Sequence, residues 1–74
     1  MTTIELIGNN LKKLRNNRGL GKSEMAGELG TNYQNIGRWE GGQVDMKLST
    51  FIQLAEFFDV STDELIRRNV NHSK

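Results

Sequence analysis

Apolar residues recur every three or four positions near the start of the chain, which is the spacing of one face of an α-helix. These residues are Ile4, Ile7, Leu11 and Leu14. Thr2 and Glu5 stand at the separation of a capping box, in which each side chain bonds the backbone N–H of the other residue. We therefore predict a first helix over residues 3–17, ended by the left-handed turn that Gly19 supplies.

Two shorter helices joined by a tight turn are predicted next. The first covers residues 22–29 and ends at Gly30. Its apolar side consists of Met25, Ala26 and Leu29. The second follows Asn32, a favourable N-cap residue, and covers residues 33 to about 41. Because so few residues connect them, the two helices must cross at a steep angle, which is a helix-turn-helix pattern.

A fourth and a fifth helix complete the pattern. We expect the fourth to begin at Leu48 after a loop and to end near Asp59. Its apolar residues are Leu48, Phe51, Ile52, Leu54, Ala55 and Phe58. Ser61 and Glu64 form a second capping box, which opens a short fifth helix that we extend to about Arg68.

Composition agrees with one small helical domain. The chain has 74 residues, of which 35% are hydrophobic and 26% charged, and it has no proline to interrupt a helix. We predict a compact, all-α, five-helix domain over residues 1–68 and a polar, fraying tail over residues 69–74. Without cysteine, disulfides and thiolate metal sites are excluded, and no apolar run approaches the ~20 residues that cross a bilayer. A cytoplasmic protein is the expectation.

The net charge is only +1, but its distribution along the chain is uneven. A basic stretch without acids contains Lys12, Lys13, Arg15, Arg18 and Lys22. Residues 40–64 contain six acidic residues and a single base, Lys47. Two interpretations of the basic stretch remain open: a surface that attracts nucleic acid, or an ordinary solvated helix face.

The third helix has an unusual outward face. At about 100° per residue, Ile36 and Trp39 point together toward the core. The residues that point away are Gln34, Gly37, Arg38 and Gly41, with Tyr33 and Asn35 at the margins. A helix with a purely structural role would favour Lys, Glu and Ala on this face.

These outward residues have the chemistry of base recognition. In the major groove Gln pairs with adenine and Arg with guanine through two hydrogen bonds, and Tyr suits a thymine methyl group or a phosphate. Gly37, by contrast, costs a helix about 1 kcal/mol relative to alanine. Two interpretations of Gly37 and Gly41 stay open: they let the backbone approach the groove floor, or they have no role.

Residues 7–66 resemble the Cro/repressor-type helix-turn-helix family, also called Xre-like, without gaps. The segments that carry the resemblance read IGNNLKKLRNNRGL, MAGELG, NIGRWEGG and LSTFIQLAEFFDVSTDELI. The apolar positions 25, 29, 36 and 39, with Ala26 and Gly30, fall where that motif requires them. The resemblance implies the phage-repressor DNA-binding fold, with the third helix in the major groove and the second across the DNA backbone.

The chemistry of the side chains and the resemblance together give a set of expected DNA contacts. These residues are Lys22, Asn32, Tyr33, Gln34, Asn35, Gly37, Arg38 and Gln43. Lys22 stands where the family usually has a phosphate-binding Gln, and a lysine also suits a phosphate. The resemblance further implies a structural ion pair between Arg15 and Glu40, although Arg15 could instead contact a phosphate.

Three features depart from the family pattern. The loop over residues 42–46 has none of the usual Lys, Arg or Pro, and its Asp45 would repel phosphate. Asp59 replaces the customary Gly after the fourth helix, which Asp tolerates at some cost in a left-handed turn. Gly27 and Gly37 loosen the two helices of the motif, so we expect DNA affinity to depend on ordering them.

The sequence offers no arrangement for catalysis or metal binding. His72, the only histidine, lies in the polar tail, and the serines lack a histidine–acid partner set. Gly41 and Gly42 follow a helix rather than the strand that precedes a phosphate-binding loop. We therefore expect no enzyme activity, no metal and no cofactor.

The larger apolar residues divide into two groups. Those expected in the core are Trp39, Phe51 and Phe58. Those expected to be partly exposed around the fifth helix are Phe57, Ile66 and Val70. The exposed group is either a two-fold dimer contact or a set of isolated surface residues.

The sequence thus predicts a DNA-binding transcriptional regulator, specifically a repressor. It would bind double-stranded DNA as a homodimer on a two-fold operator, with half-sites about 34 Å apart. It would be cytoplasmic and associated with the nucleoid when bound to DNA. The alternative is an antitoxin-like or adaptor module that uses the same fold to bind a protein, which the acidic residues 40–64 favour.

Overall fold

The computed structural model describes residues 2–67. The helices are α1 (Thr3–Asn17), α2 (Lys22–Leu29), α3 (Tyr33–Glu40), α4 (Leu48–Phe57) and α5 (Thr62–Leu65). The described residues contain no strand, so the predicted all-α, five-helix fold is confirmed. The predicted boundary at residue 68 and the tail over residues 69–74 lie outside the described residues, as do Val70 and His72.

The first helix begins at the predicted capping box. The backbone N–H of Thr2 donates to Glu5 Oε1 at 2.8 Å, and that of Glu5 donates to Thr2 Oγ1 at 3.1 Å. Because the backbone and side-chain hydrogen bonds from Thr2 favour the carboxylate, they lower the pKa of Glu5. At its other end α1 stops at Asn17, and Gly19, two residues later, has a φ of +68°.

The turn between α2 and α3 follows the sequence prediction. Gly30 ends α2 with a φ of +72°, a left-handed conformation that suits glycine. Asn32 then caps α3, because its Oδ1 accepts a hydrogen bond from the N–H of Asn35 at 2.9 Å. The N-cap of α2 is Gly21, whose N–H donates to Glu24 Oε1 at 2.8 Å and is thereby satisfied without a capping side chain.

The C-terminal part of the fold is shorter than predicted. Asp59 adopts the expected left-handed conformation after α4, with a φ of +56°. Ser61 and Glu64 form the second capping box, at 3.1 and 2.8 Å. The helix that they open ends at Leu65, with Ile66 in a turn, so the predicted extension of α5 toward residue 68 is wrong within the described part.

One core unites all five helices. Its buried apolar residues are Ile7, Leu11, Leu14, Met25, Ala26, Ile36, Leu54, Ala55, Phe58, Val60 and Leu65. Trp39, Phe51 and Leu29, which we expected inside, are only half-buried and pack against this core. Leu48 and Ile52 follow the helical spacing of α4, but they are exposed by 72% and 41%.

A buried amide ties the two ends of the described chain together. The side chain of Asn10 lies fully inside, and its Nδ2 donates to the carbonyl oxygens of Leu65 at 2.6 Å and Arg67 at 2.7 Å. Leu65 is the last residue of α5 and Arg67 follows the helix, so neither carbonyl is bonded within it. Asn10 therefore anchors α5 on α1. No helix among residues 2–67 is long and apolar enough to cross a membrane.

Candidate nucleic-acid interface

One face of α3 packs against the core, and the opposite face is exposed to solvent. Ile36 is completely buried, and Trp39 packs beside it against the core. On the opposite face Gln34 and Arg38 are exposed, and neither side chain has a hydrogen bond or ion pair to another residue in the range 2–67. Tyr33, at the start of the helix, is 55% exposed. The structure thus brings together, on one surface, the side chains predicted to contact bases.

The orientation of α3 on α1 is set by a buried ion pair. Arg15 Nε donates to Glu40 Oε2 at 2.6 Å and Arg15 Nη2 to Glu40 Oε1 at 3.1 Å, with both side chains more than nine-tenths buried. The remaining Nη1 donates to the carbonyl of Leu20 at 2.9 Å. Hydrogen bonding with Glu40 raises the pKa of Arg15, which therefore stays charged. The ion pair implied by the family resemblance is present, and Arg15 is not available to a phosphate.

Two glycines allow α1 to approach the end of α3 closely. A β-carbon on Gly8 would lie 2.4 Å from the carbonyl oxygen of Trp39 and 2.6 Å from that of Glu40. A β-carbon on Gly42 would lie 2.9 Å from the Cα of Glu5. Gly8 was not among the residues predicted from the sequence to have a role, although its position offered a signal. It lies next to Ile7 and one heptad before Arg15, on the face of α1 that meets α3.

The second arginine of the basic stretch is also used within the fold. Arg18 Nη1 donates to the carbonyl oxygen of Phe57 at 2.9 Å, at the end of α4. Its guanidinium carbon lies 5.4 and 5.3 Å from the ring centroids of Phe57 and Phe58, within cation–π range. The continuous basic surface that the sequence suggested is therefore reduced to three exposed lysines: Lys12, Lys13 and Lys22.

Lys22 lies over the outer surface of α3. A β-carbon on Gly37 would be 3.8 Å from Lys22 Nζ, and no other atom lies within 4 Å of that position, outside the helix's own backbone. The ammonium group of the residue that opens α2 therefore lies at van der Waals distance from the position that a side chain at residue 37 would take.

The two asparagines at the start of α3 have local bonds. Asn32 Oδ1 caps the helix, and Asn35 Nδ2 donates to Thr31 Oγ1 at 2.8 Å. Both side chains therefore order the turn between α2 and α3. Because an amide nitrogen carries two hydrogens, Asn32 and Asn35 can still donate to a ligand at this turn.

The loop after α3 contributes little positive charge. Gln43 is exposed, and its Cγ lies 3.6 Å from a β-carbon position on Gly41. Asp45 accepts a hydrogen bond from the N–H of Met46 at 3.2 Å. Lys47 follows as the N-cap of α4. Among residues 2–67 no group of three or more His, Cys, Asp or Glu residues is placed to hold a metal ion.

Comparison with known proteins agrees with this geometry. The family described as the helix-turn-helix domain matches residues 8–69. The chain is 36% identical over 62 residues to YonR of Bacillus subtilis strain 168, described as an SPbeta prophage-derived uncharacterized HTH-type transcriptional regulator. That alignment covers 84% of this chain and 57% of the relative, so the chain spans little more than half of the relative's length. No solved structure matches this chain significantly.

The family match covers most of the chain and includes α2, α3 and the turn between them. The resemblance drawn from the sequence segments is thereby confirmed. This chain belongs to the helix-turn-helix domain family, in its Cro/repressor-type or Xre-like form.

Proposed function

We propose that the chain is a sequence-specific DNA-binding transcriptional regulator that acts as a repressor by inserting α3 into the major groove of a two-fold operator. The observation that carries this proposal is the two-sided character of α3. Its inner side is fixed by Ile36 and by the pair of Glu40 with Arg15, while Gln34 and Arg38 project outward without partners among residues 2–67. A helix fixed on its inner side, with unpaired polar side chains on its outer side, presents those side chains to an external ligand.

We assign base recognition to the exposed side chains of α3. Gln34 offers a donor and an acceptor to adenine, and Arg38 offers two parallel donors to guanine. These residues are four apart and therefore lie on one side of the helix, one turn from each other. Tyr33, half-exposed at the start of α3, suits a thymine methyl group or a phosphate.

Phosphate contacts lie at the beginning of α3 and on its flanks. The amide hydrogens of Asn32 and Asn35 border the positive end of the α3 dipole, which favours an anion. Gln43 offers a further amide from the loop after α3. In the full complex these groups would fix the position of the protein along the DNA rather than its choice of sequence.

We place the protein on DNA as a homodimer, because a two-fold operator presents the same half-site to each copy. Ile66, at the end of α5, is 45% exposed and is our candidate for the contact between copies. The predicted second contact, Val70, lies outside the described residues. The protein would be cytoplasmic and bound to the nucleoid through its operators.

The alternative function is an antitoxin-like or adaptor module that binds a protein. It is favoured by the surface of α4 and α5, where Glu56, Asp59 and Asp63 are exposed, and by Asp45 in the loop. A protein of this kind would bind its partner without salt-dependent affinity for DNA.

Selection of bound sites from random DNA, followed by titration of the selected site, tests the proposal. We expect a two-fold consensus from the wild-type chain. Arg38→Ala should weaken binding to that site by about 1–3 kcal/mol and relax the choice of one base in each half-site. Arg67→Ala is the matched control, since it removes an exposed arginine that lies outside α3.

Two results would contradict the proposal. If Arg38→Ala weakened binding to the selected site and to scrambled DNA by the same factor, Arg38 would not read bases. If the wild-type chain showed no consensus and no salt-dependent affinity for DNA, the adaptor function would replace the regulator.

A further inference from the structure

The contact between Lys22 and Gly37 assigns Lys22 a role that its position in the chain does not suggest. Lys22 is the first residue of α2, where helix-turn-helix proteins contact the DNA backbone. In this structure its ammonium group instead reaches the outer surface of α3 and lies 3.8 Å from the place of a β-carbon on Gly37. A cation from α2 thus joins the surface formed by α3.

The backbone gives no other reason for a glycine at position 37. Gly37 lies within α3, and it is absent from the glycines with positive φ, which are Gly19, Gly30 and Gly42. Glycine inside a helix lowers its stability. The space that the missing side chain leaves is the space that Lys22 Nζ approaches, and a side chain longer than alanine would fill it. An alanine would touch Lys22 Nζ at an ordinary van der Waals distance, whereas a larger side chain would displace it. We call the space beside Gly37 the notch.

The notch lies among the side chains proposed to read bases. Gln34 precedes Gly37 by three residues and therefore lies on the same side of α3, and the exposed Arg38 is the next residue of the helix. When this surface faces the major groove, a cation held against the helix backbone lies closer to the base edges than a cation at the groove rim does. Guanine presents two acceptors there, O6 and N7.

We propose that Lys22 is a specificity-determining residue that reads a guanine from the major groove through the notch at Gly37. This inference rests on the proposed function, because it requires α3 to enter the groove. It differs from a phosphate contact in a measurable way. A phosphate contact changes affinity for every sequence alike, whereas a base contact changes the preference at one position of each half-site.

Site selection with three proteins, the wild type, Lys22→Met and Gly37→Leu, tests the inference. We expect both variants to lose a preference for guanine of about tenfold at the same position of each half-site. The double variant should lose no more at that position than either single variant, because both changes remove one contact. Replacing that guanine by 7-deazaguanine should weaken binding of the wild type but not of Lys22→Met.

Two control variants separate the loss of this contact from the general effects of removing a positive charge and of changing helix stability. Lys13→Met removes an exposed lysine from α1, and Gly27→Leu places leucine at an exposed glycine of α2 where no atom lies within 4 Å of the β-carbon. Both should leave the consensus unchanged. Circular dichroism checks that Gly37→Leu folds, and Lys22→Met gives an answer independent of that variant.

The outcomes distinguish this inference from the proposed function. If the wild type and Lys22→Met select the same consensus and the variant binds all sequences more weakly, Lys22 contacts a phosphate and the inference is overturned while the proposed function stands. If the wild type selects no consensus, the proposed function fails and the inference fails with it.

Discussion

Asp59 holds a backbone conformation that glycine adopts more easily. Its φ of +56° lies in the left-handed region, which three glycines of this chain also adopt, at positions 19, 30 and 42. For a residue with a β-carbon this region costs about 1–2 kcal/mol. The carboxylate of Asp59 also lies at the negative end of the α4 dipole, which is unfavourable for an anion. The left-handed backbone and the helix dipole therefore both make Asp59 unfavourable at this position.

We predict that Asp59→Gly stabilises the protein by about 0.5–1 kcal/mol. The relief of backbone strain exceeds the entropy that glycine adds to the unfolded chain. Urea unfolding followed by circular dichroism measures the change. Asp59→Asn separates the two causes, because it removes the charge and keeps a side chain that tolerates the left-handed region.

Asp63→Gly is the matched control for the loss of an exposed acid. Asp63 lies in the first turn of α5, where a negative charge is favourable and where glycine lowers helix propensity. This variant should destabilise the protein. A loss of stability in Asp59→Gly would mean that the carboxylate has a favourable partner in solution.

At the scale of elements, the helices follow from local signals. The start of α1 and that of α5 depend on capping residues three positions apart, and the turn at Gly30 depends on one backbone conformation. Such signals lie within a few residues of the feature they determine, so the sequence predicts the ranges of α1 and α2 as the structure has them. The prediction for the end of α5 was wrong, because the helical pattern there is only four residues long and contains no such signal for where the helix stops.

Contacts between distant residues could be predicted only in part. The pair of Arg15 and Glu40 was expected from the family resemblance, whereas the bond from Arg18 to the carbonyl of Phe57 was not. Helical spacing tells which residues share a face, but it does not tell how far a neighbouring element covers that face. For this reason the helical spacing of Leu48 and Ile52 in α4 did not show that they are exposed.

We predict that Gly8→Ala destabilises the protein by about 1–3 kcal/mol, the range typical of overpacking. The added methyl group would lie 2.4–2.6 Å from the carbonyl oxygens of Trp39 and Glu40, both of them backbone atoms, so α1 and α3 would have to separate. Separation would also stretch the pair of Glu40 with Arg15. Urea unfolding of the variant measures the loss.

Gly27→Ala is the matched control for a Gly→Ala change within a helix. No atom lies within 4 Å of a β-carbon on Gly27, so only the gain in helix propensity remains. This variant should be more stable than the wild type by about 0.5–1 kcal/mol. Equal gains for both variants would show that α1 and α3 do not approach as closely as Gly8 allows.

In the whole molecule, some basic residues of the sequence bond within the fold and others remain exposed to solvent. Two arginines of the basic stretch bond to Glu40 and to the end of α4, and the lysines remain exposed. The candidate site on α3 could be predicted because helical spacing separates its inward and outward residues. The position of Lys22 over Gly37 could not, since it depends on how α2 crosses α3.

The proposed function requires a contact between two copies of the protein on one operator. Among residues 2–67 the exposed large apolar side chains are Ile66 at the end of α5, Leu48 with Ile52 on α4, Val44 in the loop before α4 and Tyr33 at the start of α3. Ile66 alone, or Leu48 with Ile52, offers few side chains beside the ~800 Å² that each partner of a stable interface buries. A dimer held by so few side chains would form on DNA, where the adjacent half-sites raise the effective concentration of the second copy.

We therefore predict that Ile66→Asp abolishes cooperative binding to a selected two-fold site and leaves affinity for an isolated half-site unchanged. The introduced carboxylates would face each other across the two-fold axis, and the expected loss of cooperativity is about 5–150-fold, the usual range of coupling between sites. Gel-shift titrations on DNA with one or two half-sites measure both quantities. Leu48→Asp, which adds the same charge to α4, should remain cooperative. If Leu48→Asp loses cooperativity and Ile66→Asp keeps it, the two copies meet through α4 instead.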